Sequence, residues 1–277
     1  MRVISPKAWP VSLFLSAVFV AALAAQTPIT APKNKYSPAD DVQAGREAAA
    51  QVEKELPILR DETVTAYVDT IGRRILSATP SKYRHAEFRY TFKVVDAKEI
   101  NAFALPGGPT YFNSGMIIAA GNEAQVAGVM AHEISHVLLR HGTAQATKAT
   151  PYALGQLAGA ILGAVVGGKK GELITEGTQL GIGAAFLRFP REYEKQADLL
   201  GAQLMARAGY DPREMANMFR TIAASSGSGG PEWLSDHPDP GNRYEYVMEE
   251  AARLRVRHPV AATADFQAIR QRLMGRD

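Results

Sequence analysis

The clearest chemical signal in this sequence is the run His132-Glu133-Ile134-Ser135-His136. Residues four apart on an α-helix differ by about 40° in azimuth, so both imidazoles leave one face and can bind a single ion. Glu133 lies within about 60° of His136 by the same geometry, close to such an ion without having to ligate it. Two neutral imidazoles and a carboxylate hold Zn²⁺ with one position open, where a water is acidified towards neutrality. A carboxylate beside that water can take its proton and later deliver it to a leaving amine. The run therefore predicts one Zn²⁺ ion held by His132 and His136, with Glu133 as general base of a hydrolase. Chance company of two histidines and a glutamate is the competing account, and an apolar, well-capped helix around them argues against it.

A third ligand is required. The segment Arg191-Glu192-Tyr193-Glu194-Lys195-Gln196-Ala197-Asp198 offers several acids on a second predicted helix, with Glu194 and Asp198 sharing a face at four-residue spacing. Spacing nominates this helix without choosing between Glu192 and Glu194.

Other elements must position these two helices. Apolar residues at helical spacing, among them Val64, Val68, Ile71 and Ile75, predict helices over 41–56 and 62–78, separated by Pro57. The period then changes to two. Phe88, Tyr90, Phe92, Val94 and Val95 read as a strand, with further strands at 102–105 and 110–112 around a Pro106-Gly107-Gly108 turn, giving a small antiparallel sheet. Asn122 and Gln125 have capping-box spacing at the head of the metal-binding helix, predicted over 123–141 and ended by Gly142. The acidic helix runs from 191 to about 208 and stops at Gly209, and Asp211, Pro212 and Glu214 carry the cap, first-position proline and capping-box acid of another. Loops follow at 225–230 and 235–242, then a late helix at 243–257. The expected fold is α+β and mainly helical, with the sheet beside the metal-binding helix.

The helix bearing His132, Glu133 and His136, followed by Glu194-Lys195-Gln196-Ala197-Asp198, resembles the gluzincin family M-48 of zinc metallopeptidases. Asn101-Ala102-Phe103-Ala104-Leu105-Pro106-Gly107-Gly108 is similar to that family's edge strand and turn. Ala208-Gly209-Tyr210-Asp211-Pro212 is similar to its helix stop after the ligand, and Asp236-His237-Pro238 with Arg243 to its late loop. The resemblance covers about residues 40–255 and implies a zincin-like domain. It implies Glu194 as third ligand, with Asp198, one turn on, accepting from a ligand imidazole N–H and fixing its tautomer. It also implies a periplasmic or other extracytoplasmic endopeptidase of the quality-control type, acting on unfolded or misfolded proteins.

An exposed strand beside a zinc site can pair with an extended peptide, and Asn101, Ala102, Phe103 and Ala104 are the candidates for this, against the plainer reading of an internal strand. His237 could stabilise the oxyanion of a tetrahedral intermediate, or swing in to occupy the open metal position and silence the enzyme. Arg243 could orient that loop or contact substrate. His141, near the helix end, is expected to interact with the last carbonyls rather than with metal.

Bulk properties bound the rest. The 277 residues, 46% hydrophobic and 21% charged, suit one domain over 40–277. Residues 1–25, with Arg2 and Lys7 before an apolar run and Ala22-Leu23-Ala24 after it, read as a cleaved secretory signal, and the polar, Pro-rich 26–39 as a flexible tether. Periplasmic or secreted location follows, with membrane association open. Without Arg2 and Lys7 the chain keeps 29 Lys and Arg against 28 Asp and Glu, which argues against a nucleic-acid partner. The absence of cysteine excludes disulfides and a lipidated cysteine. The uncharged, Gly- and Ala-rich 152–168 reads as a buried or surface-lying helix hairpin rather than a span, leaving peripheral membrane or outer-membrane assembly contact possible. A rival class is a non-proteolytic chaperone or assembly factor of the cell envelope using the same groove, although a binder has no need of Glu133.

Overall fold

The computed structural model describes residues 26–148, 189–225, 233–234, 237–238, 242–256, 258–260 and 264–276. The expected signal at 1–25, the apolar stretch 152–168, the loop at 226–230 and Asp236 lie outside the described residues.

Helix α1, Pro38–Glu55, opens with a complete capping box between Ser37 and Asp40. Helix α2, Glu62–Ser77, is capped by the Asp61 carboxylate, which accepts from Thr63 N and Val64 N, and buries Val64, Val68, Ile71 and Ile75 as the periodicity requires. Strands β1, Thr91–Val95, β2, Ala102–Ala104, and β3, Pro109–Asn113, form one sheet in the order β1-β3-β2. β2 and β3 are the expected antiparallel hairpin, closed by Gly107 and Gly108 at φ 76° and 128°. β1, however, runs parallel to β3, so the sheet is mixed rather than antiparallel. The chain leaves β1, crosses past the position of β3 to lay down β2 at the edge, and folds back between them. Alternation of apolar residues identifies strands but carries no information on which neighbour each one takes.

Helix α3, Ser114–Ala119, follows β3 directly and was not expected, since its short apolar sequence has no helical period to display. Helix α4, Glu123–Leu138, carries the metal-binding motif. Asn122 caps it by accepting from Gln125 N, while Gln125 Oε1 accepts from Gly121 N. It ends three residues earlier than expected. Arg140, at φ 58°, breaks the helix, held there by the Asp41 carboxylate and the Tyr36 carbonyl, and Gly142 lies inside the next helix, α5, His141–Lys148.

Helix α6, Arg191–Ala208, stops where predicted, with Gly209 at φ 94° donating to Met205 O. Helix α7, Arg213–Ala224, is not capped by Glu214. That carboxylate instead accepts from Asn122 and Gln125 at the head of α4, tying the two helices together. Helix α8, Arg243–Arg253, is shorter than predicted, and α9, Ala264–Met274, buries Phe266, Ile269 and Leu273 while Arg272 reaches the Asp61 cap.

Of the segment 26–39, expected to be a tether without fixed structure, residues 38–39 open α1 and residues 26–37 pack on the domain. Thr27 donates to Glu250 from N and Oγ1 at 2.9 and 2.6 Å, buried Ile29 accepts from Tyr83 OH, and Asn34 Nδ2 donates to Thr143 Oγ1 at 2.7 Å. Polar composition alone could not distinguish a tether from a strap whose polar groups find fixed partners.

α4 lies at the centre of the domain, against α2, α6 and α7. Its approach to α6 depends on Gly201, where a Cβ would lie 3.2 Å from Ala131 C and His132 N. A similar contact joins α1 to the hairpin: a Cβ on Gly45 would sit 1.7 Å from Pro106 O. A rigid carbonyl cannot yield that distance, so Gly45→Ala should destabilise the chain by about 3 kcal/mol, at the upper end of overpacking costs. A urea midpoint within error of the wild-type value would show that this interface is looser than described.

Candidate metal centre

Helices α4 and α6 supply three donor atoms, from His132, His136 and Glu194, and the late segment adds a fourth from His237; all lie within 4.8 Å of one another and all are buried. His136 Nε2 stands 3.0 Å from His132 Nε2 and 3.4 Å from Glu194 Oε1, and His132 Nε2 stands 3.5 Å from Glu194 Oε2. His237 Nδ1 lies 3.1 Å from His132 Nε2 and 3.2 Å from Glu194 Oε1.

These spacings fit a metal ion. Bonds of about 2.0–2.1 Å at tetrahedral angles place neighbouring donors roughly 3.3 Å apart. The donor chemistry agrees. Two imidazole nitrogens facing each other at 3.0 Å share at most one proton, while Glu194 adds oxygens that only accept, so a cation satisfies all of them at once. Of the acids between which spacing could not choose, Glu194 faces the cluster and is fully buried, whereas Glu192 is exposed.

Electrostatics sort the carboxylates by role. Burial would raise Glu194, yet His237 and His136 hold it well below the usual range, as expected of a permanently charged ligand. Burial pushes the Glu133 carboxyl up, only partly offset by His237 and His132, which brings a base closer to neutrality. Glu133 Oε1 lies 3.5 Å from His237 Nε2 and accepts from Trp233 Nε1 at 3.3 Å. Glu133 is thus beside the donor cluster and outside it, as the helical spacing requires.

Asp198 Oδ1 meets His132 Nδ1 at 2.8 Å. Burial alone would lower the His132 imidazole, but Asp198 and Glu194 outweigh it and carry it up to about 9, so proton and metal compete for this ring. Arg243 locks the arrangement. Its Nε and Nη2 donate to Asp198 at 2.8 and 2.9 Å, Nη2 to Glu194 Oε2 at 2.9 Å, and Nη1 to the His237 carbonyl at 3.2 Å. Its guanidinium lies over Phe219 and Trp233, 4.1 and 4.8 Å from the ring centroids. Arg243 therefore orients the His237 segment and both acids.

Several residues around the cluster escaped sequence reasoning. Trp233 stacks on His237 at 4.7 Å and 19°, Tyr246 donates to Asp198 Oδ2, and Phe189 stacks on His136 at 4.3 Å. His141 does not bind the helix carbonyls as expected. It lies against His136, Nδ1 to Nδ1 at 2.9 Å, and burial holds it down at about 3 and hence neutral. The early break at Arg140 delivers it there, which no helical wheel drawn through 141 would show.

The strand β2 with Ala102, Phe103 and Ala104 is an edge of the sheet among the described residues, with Asn101 immediately before it. Asn113 N donates to Asn101 O and Leu105 N to Pro109 O, so the alternate residues Ala102 and Ala104 turn their backbone groups away from β3. The Ala102 N–H is taken by Asn101 Oδ1 and Ala102 is fully buried, so the outward backbone groups beside accessible surface are those of half-buried Ala104.

The model of peptidase family M48 matches residues 62–251. Similar proteins include the beta-barrel assembly-enhancing protease of Yersinia pestis, 30% identical over 230 residues, which are 81% of this chain and 46% of that protein. The protein of the same name from Escherichia coli strain K12 is 30% identical over 251 residues, 89% of this chain and 50% of its own. The mitochondrial metalloendopeptidase OMA1 of Arabidopsis thaliana is 33% identical over 165 residues, 57% of this chain and 32% of its own. The chain thus spans about half the length of the first two. With the match running from the start of α2 into α8, and taking in every residue of the donor cluster, the chain belongs to peptidase family M48.

Proposed function

We propose that this chain is a zinc-dependent endopeptidase that cuts unfolded or misfolded proteins in the periplasm or cell envelope, after loss of residues 1–25 as a secretory signal. The observation that carries this reading is a buried carboxylate, Glu133, placed beside a cluster of three imidazoles and one carboxylate that it does not join. His132, His136 and Glu194 would hold the ion. Bound there, zinc acidifies water and polarises a peptide carbonyl. Glu133 takes a proton from the attacking water and passes it to the leaving amine. His237 would be a fourth donor to an ion held there, and its withdrawal would make room for the water, leaving its ring free to face the developing oxyanion.

The outward backbone groups of Ala104, at the edge strand of Asn101, Ala102, Phe103 and Ala104, would pair with an extended substrate, which requires a client that is unfolded at the cut. The relatives named for beta-barrel assembly support a client in outer-membrane assembly, with peripheral membrane contact as part of the same reading. No helix among the described residues is long and apolar enough to cross a membrane.

Metal analysis joined to a casein digest tests the proposal. The purified full chain should hold one zinc per molecule, lose casein cleavage in chelator and regain it when zinc is restored. Cleavage that persists in chelator on a metal-free chain would refute it.

A further inference from the structure

His132 and His136 are oriented by different means. The partner of His132 Nδ1 is the carboxylate of Asp198, which can only accept, so His132 keeps its proton there and presents a lone pair at Nε2. The partner of His136 Nδ1 is His141 Nδ1, at 2.9 Å, and that imidazole can donate or accept at this nitrogen according to its own tautomer. What decides the tautomer is the far side of the His141 ring, where Nε2 meets Gln196 Oε1 at 3.0 Å.

Each neutral imidazole carries one N–H and one lone pair, so the three groups can be ordered in only two ways. If the Gln196 amide oxygen accepts from His141 Nε2–H, then His141 Nδ1 is a lone pair, His136 Nδ1–H donates to it, and His136 Nε2 is free to ligate. If the amide nitrogen were turned inward, every bond would reverse. His136 would then carry its proton on Nε2, aimed at His132 Nε2 3.0 Å away and at Glu194, where a ligand lone pair is needed. His141 is well placed for this function. It is fully buried and stacked on Tyr193 at 4.5 Å and 8°, so its ring cannot rotate freely. Gln196 sits on α6 between Glu194 and Asp198, and is only partly buried.

We propose that Gln196 and His141 are positioning residues which together set the tautomer of His136, so that its Nε2 is presented as a metal ligand. This rests on the reading of the donor cluster as a zinc site. It differs from a packing role in one respect: the two residues act in series, through one chain of hydrogen bonds.

The test is zinc affinity, measured on the full chain by competition with a chelating dye, for Gln196→Leu, Gln196→Glu, His141→Phe and the double variant of Gln196→Leu with His141→Phe. Loss of an outer hydrogen-bond partner of a ligand histidine weakens metal binding by about 10–100-fold. Gln196→Leu and His141→Phe should each fall in that range, and Gln196→Glu, which can still accept from His141, should bind as tightly as the wild type or more so. The double variant should be no weaker than His141→Phe alone, because a relay already cut has nothing more to lose. Ring ¹⁵N spectra of the wild type should place the His136 proton on Nδ1. Losses that multiply in the double variant, or equal affinities throughout, would overturn the relay while leaving the zinc site standing. A wild-type chain that binds no zinc would overturn both.

Discussion

Exchange of Glu133 for Gln should leave zinc bound and abolish proteolysis, lowering kcat/KM by about 10²–10⁴-fold, the contribution of a positioned general base. The variant is well suited to this question. Gln keeps the shape of the side chain and an oxygen to accept from Trp233 Nε1, so the stack of Trp233 on His237 has no reason to move. Only the ability to take a proton is lost. Burial raises the Glu133 carboxyl, so the acidic limb of the wild-type pH profile should lie above that of an ordinary glutamate: activity falls as pH drops and the base is protonated. The measurement is casein or peptide cleavage across pH, with zinc content determined on the same samples. Retained cleavage at full zinc occupancy would show that another group is the base. A chaperone reading, in which the groove only holds its clients, predicts instead that holding activity is indifferent to this exchange.

The site was legible in the sequence to the extent that it is built from helical spacing. His132, Glu133 and His136 follow from 3.6 residues per turn, and the four-residue step from Glu194 to Asp198 correctly put both acids on one face towards α4. Choosing Glu194 over Glu192 needed the family resemblance, because both lie in one turn. The contacts that escaped notice come from elsewhere in the chain. Trp233 and Tyr246 reach the cluster from segments whose docking no local pattern records, and His141 reaches it only because Arg140 adopts a left-handed conformation, fixed by Asp41 about 100 residues earlier. The parallel pairing in the sheet is hidden from the sequence for the same reason, since β1 and β3 are brought together by a crossover rather than a turn. Local chemistry announces helices, caps and hairpins, while long-range pairings depend on which surfaces are left to bury.

Arg243→Met should cost about 3–5 kcal/mol of stability, the range for breaking a buried ion pair from one side. Burial opposes the charge on Arg243, and the Asp198 and Glu194 carboxylates outweigh that opposition, holding its guanidinium charged. The same guanidinium keeps Asp198 below its usual range, so its removal leaves two fully buried carboxylates without their shared cation. Arg243→Lys should recover little of the loss. A single ammonium cannot span Asp198, Glu194 and the His237 carbonyl as the planar fork does, nor lie against the rings of Phe219 and Trp233 as a guanidinium can. The pH dependence distinguishes lost charge pairing from lost packing. Asp198 and Glu194 have depressed values in the wild type, so their contribution is present above the unfolded carboxylate range and disappears as pH falls through their folded values. In the variant Asp198 loses the cation that lowers it most, whereas Glu194 is still held down by His237 and His136, so Asp198 takes up a proton at higher pH than in the wild type, which relieves the buried charge. The difference between the two proteins should therefore be largest near neutral pH and shrink on acidification, and added zinc should narrow it by compensating Glu194. Urea unfolding from neutral pH down to about pH 3, with zinc compared at the neutral end, checks this. A deficit under 1 kcal/mol, or one that does not change with pH, would mean that Arg243 acts through packing and not by holding the two acids charged.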